Sequence, residues 1–402
     1  MSTAHFTITA LIVLLLIASA VAMATKWVPV PYTVALVIVG LAISPFSFRP
    51  AVHISPDLIW LIFLPPLLFE ASWNLKLDSL RANLIPILSL AFVGVGLSFG
   101  IIGLILHYAA GLGWSSSLLF GALISATDPV SVLALFKKLG APLRLTIIVE
   151  AESLFNDGAA AVVFRILLGI VIGAATFNSK VPLAVSSVAW FLLATIGGVL
   201  VGALIGFAAS ALTGRFDDHL LEVTLTTISA YGTFIVADAL YVSPVIAVVV
   251  VGIVIGNYGR RRKMSPNTQV AVDSFWEYAA FVANSLVFLL IGLEIPLALL
   301  LQHWLLILWA ILAMTVARAM SVYGLFPIIH RFTERVAGRW QHIIFWGGLR
   351  GSLSIALALS LPATVPGRVE LVAMTFGAVT FSLLLQGLTI SPLMNRLRIE
   401  RR

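Results

Sequence analysis

The sequence contains no cysteine, and charged residues make up only 10% of its 402 positions. The absence of cysteine excludes disulfides and any metal site built on thiolates. Soluble domains carry about 25% charged residues, so a water-soluble globule of this composition would lack polar surface. The chain also has no H-E-x-x-H and no P-loop sequence. We therefore expect no enzyme activity, no resident cofactor and no nucleotide-driven transport.

Apolar residues are abundant instead: they make up 60% of the chain, and the mean hydropathy is +1.09. Long apolar runs, without the alternation of a β-barrel, predict an all-α polytopic membrane protein. A membrane-spanning helix needs about 20 apolar residues. Polar, proline and glycine breaks divide the chain into thirteen predicted spans, at 6–24, 30–47, 57–73, 82–108, 114–137, 143–172, 184–213, 219–239, 243–257, 268–293, 303–330, 340–362 and 367–395.

These spans predict a single transmembrane unit over residues 1–402, without a soluble domain. The first span has no Lys or Arg before it, and further spans follow at once, so we interpret it as a retained helix rather than a signal peptide. The ninth, 243–257, is short, and the sequence leaves open whether it is separate from its neighbour.

The basic residues predict an orientation. With the N-terminus outside and the C-terminus inside, 18 of the 24 Lys and Arg residues fall in inner segments and 3 in outer segments. This asymmetry follows the positive-inside rule. We therefore attribute the sequence pI near 9.9 to a basic cytoplasmic face rather than to nucleic-acid binding, and we expect a multi-pass protein of the cell (inner) membrane.

Ionisable side chains are costly inside a bilayer, and those found there are candidates for function. Three acids near span ends, Glu222, Asp238 and Glu294, are expected to be solvated. Eight residues fall well inside the spans: Glu70, Asp128, Glu150, Glu152, Asp157, Arg165, Arg318 and Arg350.

Span six carries most of this charge. Glu152 and Asn156 share one helical face, and Ser153 and Asp157 share the next, so the four form a polar edge on an apolar helix. Oxygen ligands suit a hard cation or a proton relay. The alternative is a hydrogen-bonded seam between helices, but such seams use neutral polar residues rather than acids.

Spans five and twelve are predicted to be broken. Pro129 disfavours helix at Asp128, and three glycines surround Arg350. The two spans cross the membrane in opposite directions, which favours an inverted repeat with crossing half-helices. Asp128 would then balance positive helix ends, and Arg350 negative ones. A simple proline kink in span five is the alternative.

The other ionisable residues are less informative. Glu70, near the inner end of span three, either borders the site or is a snorkelling acid. Arg318 needs a carboxylate partner if it is buried. The pattern gives no role to Arg165 and does not favour ion contact for Glu150.

At these residues the sequence resembles the cation/proton antiporters of the NhaP and eukaryotic Na+/H+ exchanger type. The motifs lie across most of the chain. They are FLPPLLFE (63–70), ATDPVSV (126–132), ESLFNDG (152–158), NSLVFLLIGLEI (284–295) and GGLRGSLSIALALSLP (347–362). The resemblance implies an NhaA-like antiporter fold, a homodimer, and a core domain that moves against a dimerisation domain. The core would contain the spans near 114–172 and 303–395, and the remaining spans would form the dimerisation domain.

The resemblance also implies roles for individual residues. Asp157 would be the acid that binds the cation or the proton. The residues that complete or border the cation site would be Ser153, Asp128, Thr127 through its carbonyl, and Glu70.

Two supporting roles follow from the same resemblance. Asn156 would tie span six to the broken span five, and Glu152 would pair with Arg318.

The expected function is secondary antiport of Na+, or of K+ or Li+, against H+. A cation channel and a Na+-coupled symporter of a small organic anion are the alternatives.

Overall fold

The computed structural model of the protein describes residues 3–27, 30–44, 55–173, 182–213, 218–260, 264–295 and 297–399. Within these ranges the chain is helical and contains no strand. The helices are α1 Thr3–Ala24, α2 Tyr32–Ile43, α3 Leu58–Asn74, α4 Leu77–Ala82, α5 Leu84–Tyr108, α6 Trp114–Leu123, α7 Val130–Leu139, α8 Leu143–Val171, α9 Leu183–Leu212, α10 His219–Ala239, α11 Pro244–Gly259, α12 Pro266–Glu294, α13 Leu297–Gln302, α14 Trp304–Ile329, α15 Gly338–Trp346, α16 Ser352–Leu359 and α17 Arg368–Arg396.

The thirteen predicted spans correspond to these helices. The fifth is divided into α6 and α7, and the twelfth into α15 and α16, so both predicted breaks are confirmed. The short ninth span is the separate helix α11. The sequence did not resolve the short helices α4 and α13, which have only 6 residues each. The all-helical fold with two broken helices is therefore the predicted one.

Several helix starts have a local cause. The Asp218 carboxylate accepts hydrogen bonds from the N–H groups of Leu220 and Leu221 at the start of α10, at 2.8 and 3.3 Å. Ser243 caps α11 in the same way, and Ser265 caps α12. These caps satisfy donors that have no partner within the first turn of a helix. The caps therefore stabilise the first turns of α10, α11 and α12.

Small residues bring some helices into close contact. Gly198, Gly202 and Gly206 recur at every fourth position of α9, where a Cβ atom would overlap atoms of α11. Close approach of backbones is a general means of helix association in lipid, where burial of apolar side chains supplies no driving force. The small-residue stripe therefore fixes α9 against α11.

One expectation about the span ends is wrong. Glu222 is not solvated: its side chain is buried, with 4% of the residue exposed. It lies in the first turn of α10, one turn before Thr226, which is also buried and accepts a hydrogen bond from the Trp276 indole at 3.1 Å. This face of α10 therefore packs inward from its first turn.

Candidate ion-binding site

The two broken spans meet at their interruptions. The N–H of Asp128, between α6 and α7, donates to the carbonyl of Leu349, between α15 and α16, at 2.7 Å. The Arg350 guanidinium donates to the carbonyls of Ser125 and Ala126, at 3.0 Å each. These carbonyls follow the C-terminal end of α6, where the helix dipole favours a cation. The buried Arg350 therefore occupies the predicted position among negative helix ends.

Asp128 lies near the positive helix ends at this crossing. Its carboxylate accepts the N–H of Val130, the first residue of α7, at 3.0 Å. A Cβ atom at Gly351, just before α16, would overlap the Asp128 side chain. Asp128 is thus close to the N-terminal ends of two half-helices, where negative charge is favoured.

Helix α8 is tied to the interruption in span five by side chains of its polar edge. The Asn156 carbonyl oxygen accepts the N–H of Thr127 at 3.1 Å, and its amide group donates to the Thr127 hydroxyl at 2.6 Å. The Ser153 hydroxyl donates to the Thr127 carbonyl. Buried polar groups without partners are costly, so these bonds allow the chain to leave the helical conformation at this depth.

Glu152 forms the ion pair with Arg318 that the resemblance implies. Arg318 Nη1 and Nη2 lie 2.8 and 3.2 Å from the two carboxylate oxygens. Nη2 also donates to the Ile344 carbonyl at 3.0 Å. A Cβ atom at Gly348 would lie 2.7 Å from Arg318 Nε, so the second broken span fits closely around the guanidinium.

A cavity of about 380 Å³ opens against the crossing point. Its polar lining includes four carboxylates, those of Glu70, Asp128, Glu150 and Asp157, and one cation, Lys137. The four acids are partly exposed to this space, and the largely buried Ser153 also lines it. Glu152 and Asn156 are buried and do not line it. An oxygen-rich cavity with an excess of negative charge attracts small cations and protons.

Some residues near this site were not resolved by the sequence patterns. Glu150 lines the same cavity as Asp157, although the pattern did not favour it. The two acids are seven residues apart, which is two helical turns and therefore the same face. Asn284, Ser352 and Ser354 also line the cavity, and each falls within a motif that carried the resemblance.

Arg165, to which the sequence gave no role, forms an ion pair with Asp238 and lies over the Trp60 ring, with its guanidinium carbon 5.5 Å from the ring centroid. Asp238 was expected to be simply solvated. It is 44% exposed in the side chain and also ion-paired. The partners come from α3, α8 and α10, at large separations in sequence.

The chain is similar to several known proteins. Residues 11–396 match the family described as "Sodium/hydrogen exchanger, transmembrane". The chain is 46% identical over 369 residues to the Na(+)/H(+) antiporter ApNhaP of Aphanothece halophytica, which covers 92% of this chain and 70% of that protein. It is 38% identical over 401 residues to the Na(+)/H(+) antiporter NhaH of Halobacillus dabanensis, which covers 96% of this chain and 97% of that protein.

A solved structure shares the fold. The sodium proton antiporter MjNhaP1 from Methanocaldococcus jannaschii, solved at pH 8, superimposes with a TM-score of 0.80 at 20% sequence identity. The match covers 98% of this chain and 99% of that chain. The helix arrangement around the two broken spans is therefore that of a known transporter fold.

Proposed function

Since the chain belongs to the sodium/hydrogen exchanger family, we propose that it is a secondary antiporter, which exchanges Na+ for H+ across a membrane. K+ and Li+ are the alternative cations. The observation that carries the proposal is the position of Asp157, which faces a carboxylate-lined cavity beside the crossing of two broken helices. A transport site at such a crossing lies at mid-membrane, where both sides are accessible in turn.

In the proposed site, Asp157 binds either the cation or the proton. Ser153, Asp128, the Thr127 carbonyl and Glu70 complete or border the cation site. Support comes from the cavity, which is lined by all five residues, and from the Ser153 hydroxyl, which already contacts the Thr127 carbonyl. Oxygen donors of this kind are the ligands that hard monovalent cations require.

The proposed coupling rests on charge. An empty, ionised Asp157 is a lone charge in the barrier and resists the movement that exchanges access between the two sides. A bound Na+ or a bound proton removes that charge, so either ligand permits the movement. The two ligands cannot bind together, and this exclusivity links the two fluxes.

We assign the alternating-access movement to two domains that move against each other. The proposed core domain contains the spans near 114–172 and 303–395, and the remaining spans form the dimerisation domain of a homodimer. The site supports this division, because the contacts of Asn156 with Thr127, of Glu152 with Arg318 and of Arg350 with Ser125 all join helices of the core. Mass measurement of the purified protein in detergent tests the dimer.

The proposed location is the cell (inner) membrane, with the N-terminus outside and the C-terminus in the cytoplasm. The charge asymmetry of the sequence supports it. Some of the counted residues, such as Arg49, Lys180 and Arg215, lie outside the described residues. A reporter fused to each terminus tests this orientation.

Proteoliposomes test the function. A Na+ gradient is imposed with no other solute present, and the internal pH is followed. An antiporter moves protons under these conditions, whereas a symporter of an organic anion moves none without its anion. A cation channel passes net current. Absence of proton movement with Na+, K+ and Li+ would reject the proposal.

A further inference from the structure

A second, smaller cavity lies in line with the first. It has a volume of about 240 Å³ and is lined by three chain segments. These are the start of α3 with Asp57 and Trp60, the part of α8 with Phe164 and Arg165, and the end of α16 with Leu357 and Ser360. The same three helices line the ion cavity, through Leu64–Ala71, Ser153–Asp157 and Ser352–Ser354. The two cavities therefore follow one another along one group of helices.

The layer between the cavities is thin and apolar. Phe164 lies seven positions after Asp157 in α8, a rise of about 10 Å. Phe164, Ala356 and Leu357 are buried in this layer, each no more than 4% exposed. By the proposed orientation, the ion cavity, with Lys137 in its lining, opens inward, and the small cavity lies on the outer side. The small cavity then occupies the place where the other end of an alternating-access pathway must open.

Arg165 connects the walls of this outer cavity. It extends from α8, forms the ion pair with Asp238 at the end of α10, and stacks on Trp60 of α3. Trp60 is in turn held by α10, because the Phe234 ring meets it edge-on at 5.7 Å. The contact thus joins α8 of the proposed core to two helices of the proposed dimerisation domain.

The strength of this contact suits a reversible role. The side chains of Arg165 and Asp238 are 41% and 44% exposed, and ion pairs with that much solvent access stabilise little. A buried pair such as Glu152 and Arg318 would be costly to break in each cycle. A half-exposed pair is not, so Arg165 fits a contact that forms and breaks during transport.

We propose that the outer cavity is the closed outer mouth of the cation pathway, and that Arg165 holds it closed through Asp238 and Trp60. The inference rests on the proposed antiport function, since only a two-sided transporter needs such a mouth. A hydrated monovalent cation is the ligand that this mouth would admit. Opening requires α8 to separate from α3 and α10 on this side, with loss of both Arg165 contacts.

The absence of cysteine from the chain permits a direct test. Leu357→Cys places one thiol in the buried layer, and Ser360→Cys places one at the exposed rim of the cavity. A membrane-impermeant thiol reagent is applied to the outer side of intact cells. Because Arg165→Ala removes both contacts, we expect it to raise the labelling rate of the Leu357→Cys thiol about tenfold. Asp238→Asn, which removes only the ion pair, should raise it about threefold.

Three controls accompany this measurement. Asp57→Asn removes a charge from the same cavity without breaking the contacts of Arg165 with Asp238 and Trp60, and should leave the labelling rate unchanged. The Ser360→Cys thiol should react equally in all backgrounds. The exchanged pair Arg165→Asp with Asp238→Arg should return the labelling rate toward that of the parent.

The outcomes separate this inference from the antiport proposal. Equal labelling of the Leu357→Cys thiol in the parent, Arg165→Ala and Asp238→Asn backgrounds would show that Arg165 does not hold the outer cavity closed, whether or not the protein exchanges ions. If Arg165→Ala does not fold, the Asp238→Asn and exchanged-pair variants give the same decision. Increased labelling in a parent protein that exchanges no Na+ for H+ would show that the Arg165 contacts close the outer cavity, and would reject its assignment to an antiport pathway.

Discussion

Asp157 is the residue on which the proposed mechanism depends most directly. Asp157→Asn should abolish exchange and leave folding intact, because the amide resembles the protonated acid but cannot release a proton. Asp78→Asn, in the short helix α4 away from the cavity, is the matched control and should retain full activity. Transport assays on both variants, with thermal unfolding to verify the fold, provide the measurement. An active Asp157→Asn protein would show that another residue is the exchange site.

Competition at the same residue predicts a pH dependence. Protons that occupy Asp157 exclude Na+, so acidification should weaken the apparent Na+ affinity while the maximal rate changes much less. Below the pKa of the site, each pH unit should cost about tenfold in affinity, or about 1.4 kcal/mol. Na+ titrations of the transport rate at several pH values measure this effect. A Michaelis constant that stays the same between acid and neutral pH would reject competition.

Glu152 and Arg318 are expected to stabilise the fold rather than to bind the transported ion. Both are buried, and the pair is bidentate. Removing either partner leaves an uncompensated charge, at a cost of about 3–5 kcal/mol. Glu152→Ala and Arg318→Ala should each lower thermal stability and folded yield. In a double-mutant cycle the double variant should lose much less than the sum of the single losses; additive losses would contradict the pairing.

At the scale of the elements, the crossing of the broken spans leaves no space at Gly351. A methyl group there would overlap the Cβ and carboxylate of Asp128, so Gly351→Ala must displace an acid of the proposed cation site. We expect a loss of Na+ affinity of tenfold or more, with helix content unchanged. Gly324→Ala in α14 is the matched control, because a Cβ atom there meets nothing within 4 Å and alanine favours the helix. Equal affinity in the two variants would contradict the assignment of Asp128.

The elements also show what the sequence can predict. Thirteen spans followed from the length of apolar runs, and both breaks followed from Pro129 and from the glycines around Arg350. The sequence did not predict which side of each helix packs against other helices. Lipid is as apolar as the protein core, so hydropathy does not distinguish a side that faces lipid from a side that faces protein. Glu150 and Arg165 were therefore assigned no role, although a same-face spacing of Glu150 with Asp157 was present in the sequence.

The contacts that define the site escape sequence patterns for a second reason. Arg350 reaches carbonyls more than 220 positions away in the chain, and Arg318 reaches Glu152 across 166 positions. The resemblance to a family supplied the second partnership. Nothing in the local sequence specifies the hydrogen bond between Asp128 and Leu349, since it joins backbone groups.

At the scale of the whole molecule, the balance of charge in one transport cycle is open to measurement. We expect electroneutral exchange, in which one monovalent cation trades for one proton. Helix α8 presents Asn156 beside Asp157, and the amide is fully used in bonds to Thr127 and Glu152. An amide cannot carry a second exchangeable proton, so this pair of residues transfers one charge in each direction.

The cavity contains the groups that would alter this stoichiometry. Glu70, Asp128 and Glu150 share the space with Asp157, and a second acid that released its proton on Na+ binding would make the exchange electrogenic. Proteoliposomes with a K+ and valinomycin clamp distinguish the two cases: electroneutral exchange keeps the same initial rate at every imposed potential, once leak is excluded. If the rate instead follows the potential, that dependence should disappear in one of three variants: Glu70→Gln, Asp128→Asn or Glu150→Gln. The variant that abolishes it would identify the second proton carrier.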